Sequence, residues 1–372
     1  MRQYLVSAVL LALVCSVAAH SQETPQPPFV TPAMDGIFGA FKTYPLVGIG
    51  EHHRIAQELD FYAALVRDPR FAKDVGNVVV EFGGAIHQDI IDRYVNGEDV
   101  PYTELRKVWT DTVGWLPSVP SIGYPNFFAQ VRETNLALPP EKRIHVWLGE
   151  PVIDYDKLKS QADWKLLDRT RDSFTAALIE RQILARGKKA LIIYGAGHFL
   201  LPAPTPVQKK LDAANWMPTS WRAMIDRAHP GALFLATFYN GAGQKPCIED
   251  FEKSVAAWSV PALAPLRGTA LADNLRRCDP VKTEDAAFPP GYTFSDEEKK
   301  QAVDAWFGPA SVADALIYLG PSTTLLYSPY IPDLYLDQDY GRTIARHHEL
   351  QSGEKYPTYP VKDYTVLRKV RR

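Results

Sequence analysis

Cysteine is scarce. The chain has three in 372 residues, at positions 15, 247 and 278. That count excludes a disulfide-dense miniature scaffold, and the absence of any Cys-x-x-Cys excludes zinc-ribbon and thioredoxin-type sites. Neither sign of charge is in excess. Lys and Arg number 41 against 43 Asp and Glu, a net charge of −2, so nucleic acid finds no electrostatic footprint. Beyond the N-terminal segment no apolar run approaches the ~18 residues of a membrane span. There is no internal repeat, no Gly-x-Ser-x-Gly elbow and no His-Glu-x-x-His. Gly48-Ile49-Gly50 opens like a dinucleotide loop, but His53 stands where the third glycine belongs and Glu51 would repel a pyrophosphate. Gly241-Ala242-Gly243-Gln244-Lys245 lacks the phosphate-loop spacing.

What is present begins with residues 1–19. Arg2, the apolar stretch Leu5–Val14 and the small residues Val17-Ala18-Ala19 have the pattern of a secretory signal cleaved near Ala19. The expectation is an exported chain, periplasmic or secreted, with no transmembrane span after cleavage. A lipoprotein is the weaker reading, because bulky Leu13 and Val14 precede Cys15 where lipid attachment wants small residues. Two cysteines then remain. An exported chain with an even count predicts a Cys247–Cys278 disulfide, two buried thiols being the alternative. Residues 20–32 read as a Pro-rich linker, 33–350 as a single α/β domain and 351–372 as a basic C-terminal tail, solvated like most charged termini.

Inside the domain, apolar runs alternate with helical patterns. Tyr44–Gly50, Val78–Phe82, Ile144–Gly149, Ala190–Tyr194, Ala232–Phe238 and Ala315–Leu319 read as strands. Ile55–Arg67, Ala85–Val95, Tyr102–Val108, Asn126–Asn135 and Asp168–Arg186 read as helices, the last with Phe174, Ala177, Leu178 and Gln182 in phase and Gly187 as its stop. Continuous β-branched strands between helices predict an α/β fold: a mainly parallel central sheet with helices on both faces and a site at the strands' C-terminal ends.

Three strand ends carry chemistry. Gly50-Glu51-His52-His53 follows the first strand, Glu81 ends the Val78–Val80 run, and Gly195-Ala196-Gly197-His198 follows the fourth. Imidazoles and carboxylates at one sheet edge can activate water or hold a divalent metal. Glu51, His53, Glu81 and His198 are therefore the candidate catalytic residues, with His53, Glu81 and His198 the metal set. Neighbouring residues alternate sides in extended chain, so His53 rather than His52 is expected to enter the site. Glu81, beside valines, needs a cation, a metal or a proton. Glu150 ends its strand in the same way and suits orienting a histidine. Arg54 or Arg93 is expected to steady an oxyanion. His145 is expected in the core, His87 as a packed or half-exposed helix residue, His229 in a turn, and His347-His348 on a solvated face.

These motifs resemble a superfamily that groups erythromycin esterase-like hydrolases, ChaN-like haem-binding lipoproteins and TraB/Tiki proteins. Gly50-Glu51-His52-His53 resembles its first Gly-Glu…His motif, Val80-Glu81 its strand-end glutamate, and Gly195-Ala196-Gly197-His198 its Gly-x-x-His. The likeness runs from Leu46 to Phe199; residues after about 240 match nothing in it. It implies an α/β fold and splits on function: metal-independent water activation in the esterases, metal-dependent peptide cleavage in the Tiki proteins, haem binding in the ChaN-like ones. Glu51 stands one residue closer to its histidine than in the esterase pattern, which argues against a macrolide substrate. The expectation is a hydrolase that activates water on an ester, amide or peptide, working on a small-molecule or peptide partner and assisted by Zn, Mn, Co or Fe if a metal is used. The alternative is a haem- or iron-binding envelope protein.

Overall fold

A computed structural model describes residues 30–114, 120–214, 216, 219–278, 286, 288–308, 311–355 and 368–369. The leader, most of the Pro-rich linker, residues 115–119, most of the Pro280–Gly291 stretch and most of the C-terminal tail lie outside the described residues.

Eight strands form one sheet: β1 (Thr31–Pro32), β2 (Leu46–Glu51), β3 (Asn77–Gly84), β4 (His145–Glu150), β5 (Ala190–Gly195), β6 (Leu233–Phe238), β7 (Ala262–Pro265) and β8 (Ala315–Tyr318). Their order is β1-β7-β8-β6-β2-β5-β3-β4. From β8 to β4 all pairings are parallel, and β7 pairs antiparallel with both β8 and β1. The fold is therefore the expected α/β arrangement. Alternation within the strands builds a core on each face. Val47, Ile49, Val78 and Val80 pack on one side, with Tyr62, Phe127 and Phe128 from the helices. Leu46, Val79, Ile192 and Tyr194 pack on the other, with Ile179 and Trp221. Both faces are covered, which is why these strands carry no polar alternation.

β2 lies near the middle, hydrogen-bonded to β5 on one side and β6 on the other. Its end, and those of β5, β3 and β4, open on one rim of the sheet. Gly149 lets the strands close there: a Cβ on it would lie 2.1 Å from the Tyr194 hydroxyl and 2.8 Å from the Val80 carbonyl.

The structure corrects several expectations. The linker's last residues, Thr31–Pro32, are the edge strand β1. Arg368–Lys369 of the tail pairs antiparallel with Leu326–Tyr327 instead of lying apart from the fold. The long helix predicted over Asp168–Arg186 runs only over Arg171–Gln182, followed by a tighter turn at Leu184–Arg186; it buries Leu178 as expected, and also Asp172, Thr175, Ala176 and Ile179, which lie outside the predicted phase. His347 and His348 are buried, on a fifteen-residue helix over Gln338–Ser352. His145 is not core; its side chain is 34% exposed and packs on Trp147. Cys247 and Cys278 are disulfide-bonded, joining the Lys245–Ser254 helix to the end of the Ala270–Cys278 helix. No described helix is long and apolar enough to cross a membrane.

Candidate functional site

The sheet brings Glu51, His53, Glu81 and His198 together. Glu51, the last residue of β2, is buried, and one of its carboxylate oxygens accepts a short 2.5 Å hydrogen bond from the Tyr124 hydroxyl. The same oxygen lies 3.4 Å from His53 Nδ1. That contact turns the opposite edge of the His53 ring toward β5. A Cβ built on Gly195 would sit 2.9 Å from His53 Nε2 and 3.1 Å from Glu81 Oε2, so both side chains lean over this glycine.

Glu81 is the hub. Its Oε2 accepts the Gly195 N–H at 2.5 Å. Its Oε1 takes a hydrogen bond from Arg171 Nη2 at 2.8 Å and faces His198 Nε2 at 3.3 Å. Burial alone would raise its pKa. His198, His53 and Arg171 outweigh that and hold the carboxylate well below its usual range.

His198 is fixed from behind. Its Nδ1 lies 3.0 and 3.1 Å from the two oxygens of Asp172, a buried residue in the first turn of the Arg171–Gln182 helix. Asp172 is in turn held by the Trp221 N–H at 2.8 Å. Burial disfavours charge on His198, yet Asp172 and Glu81 raise it to about 10. For His53, burial is likewise outweighed by the Glu51 hydrogen bond and the Glu81 charge, and its value rises to about 9. Both imidazoles are thus cationic at neutral pH.

Arg171 ties this group to Glu150. Its Nε and Nη2 reach Glu150 at 2.7–3.1 Å, and the Gly114 N–H donates to the other side of the same carboxylate at 2.8 Å. Glu150 therefore supports Arg171 and does not orient a histidine. His52 stays outside the cluster. Its backbone N–H and Nδ1 lie 2.8 and 3.0 Å from Glu58, in the first turn of the Ala56–Arg67 helix, whose buried carboxyl is pushed up to about 7 by desolvation, against the pull of His52. The two arginines expected at an oxyanion are elsewhere. Arg54 bonds the Ser328 carbonyl and lies 3.7 Å over the Tyr330 ring; Arg93 pairs with Glu98 and Glu104. Arg171, Asp172 and Tyr124 are the partners that the sequence reading missed.

Beside His198 lies a cavity of about 240 Å³, whose walls include Arg171, Asp172, Gln208 and Trp306. It is smaller than the ~300–1,000 Å³ typical of enclosed drug-sized ligands, so it suits one group of a larger molecule.

A divalent metal fits these residues poorly. Each oxygen of Glu81 is already engaged by a donor, and the Arg171 guanidinium sits where a second cation would be repelled. Among the described residues no three His, Cys, Asp or Glu side chains are grouped to hold a metal ion. Chemically, the arrangement offers two imidazoles, each backed by a carboxylate, on either side of a fixed anion.

No family model and no curated protein matches the chain. One solved structure, described as that of the type III effector HopBA1, is similar at 13% identity, with a TM-score of 0.35, over 60% of this chain and 91% of that one. A likeness at that level carries no argument about fold or function.

Proposed function

We propose that this chain is a hydrolase that activates water through the His53–Glu51 pair and acts on an ester, amide or peptide carbonyl without a resident metal. The reading is carried by one observation. Imidazoles from the ends of β2 and β5, each with its own buried carboxylate, flank the clamped Glu81, and the His198 side of the group lines a cavity.

In this reading His53 is the general base. Its neutral form takes a proton from water, the water oxygen bonds to the carbonyl carbon, and the proton returns to the departing oxygen or nitrogen as the acyl bond breaks. Glu51 keeps Nδ1 as the protonated nitrogen, so Nε2 is the working atom. His198, held cationic by Asp172 and Glu81, supplies the positive charge that the oxyanion needs. Arg171 holds Glu81 in place and is not free to meet a substrate. The haem alternative draws no support from the site, since the cavity at His198 is too small to enclose a macrocycle.

The test is a panel of chromogenic esters, amides and short peptides, with His53→Asn and His198→Asn as variants. Each variant should lose roughly 10²–10⁴-fold of whatever activity the parent shows, the range for a lost acid–base group. Activity that survives both substitutions sinks the proposal. Activity that disappears with a chelator and returns with a divalent ion replaces it with a metal-dependent reading.

A further inference from the structure

A second polar cavity, of about 390 Å³, opens near the ends of β3 and β4, and it shares no residue with the cavity at His198. Its walls come from the turn after β3, the short helices over Tyr102–Leu105 and Lys107–Thr110 with Asp111 after them, the loop after β4 and the Gln338–Ser352 helix. At its centre is Asp111. His87 Nε2 meets Asp111 Oδ2 at 2.7 Å. His347 faces the other oxygen, Nε2 to Oδ1, across 3.9 Å, too far for a hydrogen bond.

The tautomer of His347 follows from its other nitrogen. Nδ1 lies 3.3 Å from the Thr110 carbonyl, which can only accept, so Nδ1 carries the hydrogen. The ring is 4% exposed and stacked on Tyr155, with centroids 3.5 Å apart. Burial pushes its pKa down to about 4 against the pull of Asp111, so the ring is neutral. Nε2 is then a lone pair pointed at a carboxylate. Two acceptors face each other at the cavity wall, and among the described residues no donor reaches either of these two atoms.

We propose that this cavity is a ligand site for a primary ammonium group, which donates one N–H to Asp111 Oδ1 and another to His347 Nε2. At ~2.9 Å from each acceptor, a nitrogen spanning that 3.9 Å gap subtends about 85°, which sp³ N–H bonds can serve with modest bending. A zinc ion at ~2.1 Å from both would need about 136°, unlike tetrahedral geometry. A water molecule would satisfy the same pair, but the cavity has room for roughly a dozen at ~30 Å³ each. Its charge favours a cation. Asp154 and Asp156 join Asp111 in the walls against Arg106 and Lys107; Arg106 is held by Asp333 and Asp337 and Asp154 by Lys157, which leaves Asp111 and Asp156 against Lys107. The ligand class is therefore an amine with a polar body: a diamine, an amino sugar or a peptide N-terminus. None of this depends on the proposed hydrolysis.

The experiment titrates the full chain with 1,4-diaminobutane and with butane-1,4-diol, followed by calorimetry. The amine should bind and the diol should not, and Asp111→Asn should weaken the amine at least 10-fold while His229→Gln, at a half-exposed histidine outside both cavities, leaves it unchanged. On the unaltered protein, ¹⁵N-histidine NMR should show His347 Nε2 move when the amine is added, which keeps the test valid if Asp111→Asn does not fold. Equal binding of the diol, amine binding indifferent to Asp111→Asn, no amine binding up to ~10 mM, or a response to Zn²⁺ alone would each overturn the proposal.

Discussion

Replacing Asp172 with Asn should cost stability in a manner set by pH, and His198 fixes the sign. Asp172 accepts from His198 Nδ1 and from the Trp221 N–H. Asn keeps an oxygen for those donors, so the substitution removes charge and leaves the geometry. His198 is cationic in the fold with a value raised to about 10 from 6.5. A raised histidine contributes its full stabilisation below the unfolded value and loses it as pH climbs through the folded one. The window therefore runs from 6.5 to about 10. Across that window the rise corresponds to about 5 kcal/mol at ~1.4 kcal/mol per pH unit. One charge-assisted hydrogen bond supplies roughly 1.5–3 kcal/mol of it. Asp172→Asn should thus be destabilised by roughly 2–3 kcal/mol at pH 6, with the deficit shrinking to under ~1 kcal/mol as pH passes 10. Urea unfolding followed by tryptophan fluorescence at pH 6, 8 and 10.5 reads the difference directly. A deficit that is the same at all three values would refute the argument, because it would place the Asp172 contribution in packing or in the Trp221 bond and not in the charge on His198.

Other outcomes follow from the same cluster. If His53 is the base, roughly 1% of molecules are in the working form at pH 7, so kcat/KM should rise about tenfold per pH unit up to about 9 and fall above about 10 as His198 loses its proton. A profile that falls from pH 7 upward would assign the roles wrongly. Gly195→Ala should fold, since φ −54° and ψ 140° suit alanine, but its Cβ would press on His53 and Glu81. Activity should drop ~10²-fold with Tm shifted by only a few degrees, and an active Gly195→Ala would show that the two side chains do not meet there. Arg171→Met leaves two buried carboxylates without their cation and should destabilise the protein by roughly 3–5 kcal/mol, measured by denaturant unfolding at pH 7.

The sheet was legible because its central strands are unbroken apolar runs. β7 was not: Ala-Leu-Ala-Pro is short, follows Pro261 and pairs antiparallel with both its neighbours, outside the strand–helix alternation that marks the parallel strands. At the site, the residues at strand ends were readable, since a glutamate after three valines or a histidine after glycines stands out against its neighbours. Their partners were not, because they come from helices. Asp172 looks like an ordinary acidic residue in a helix's first turn. One signal was available. Placing Thr175, Ala176 and Ile179 on the buried face puts Asp172 on it as well, four and seven residues back from the last two, whereas the phase through Phe174 and Ala177 turns it outward. Arg171 was hidden for the same reason, and Tyr124 because an aromatic in a helix reads as core until its hydroxyl is seen to meet Glu51.

β2 has a parallel neighbour on each side, and it carries Glu51 and leads directly into His53. To loosen that segment, two ladders must open at once, which amounts to dissolving the sheet. The machinery is thus anchored to an interior strand, whose amides should exchange as slowly as those of the other central strands. On heating, its geometry should hold until cooperative melting begins, so loss of turnover and loss of the fold should coincide, with no inactive native-like state in between.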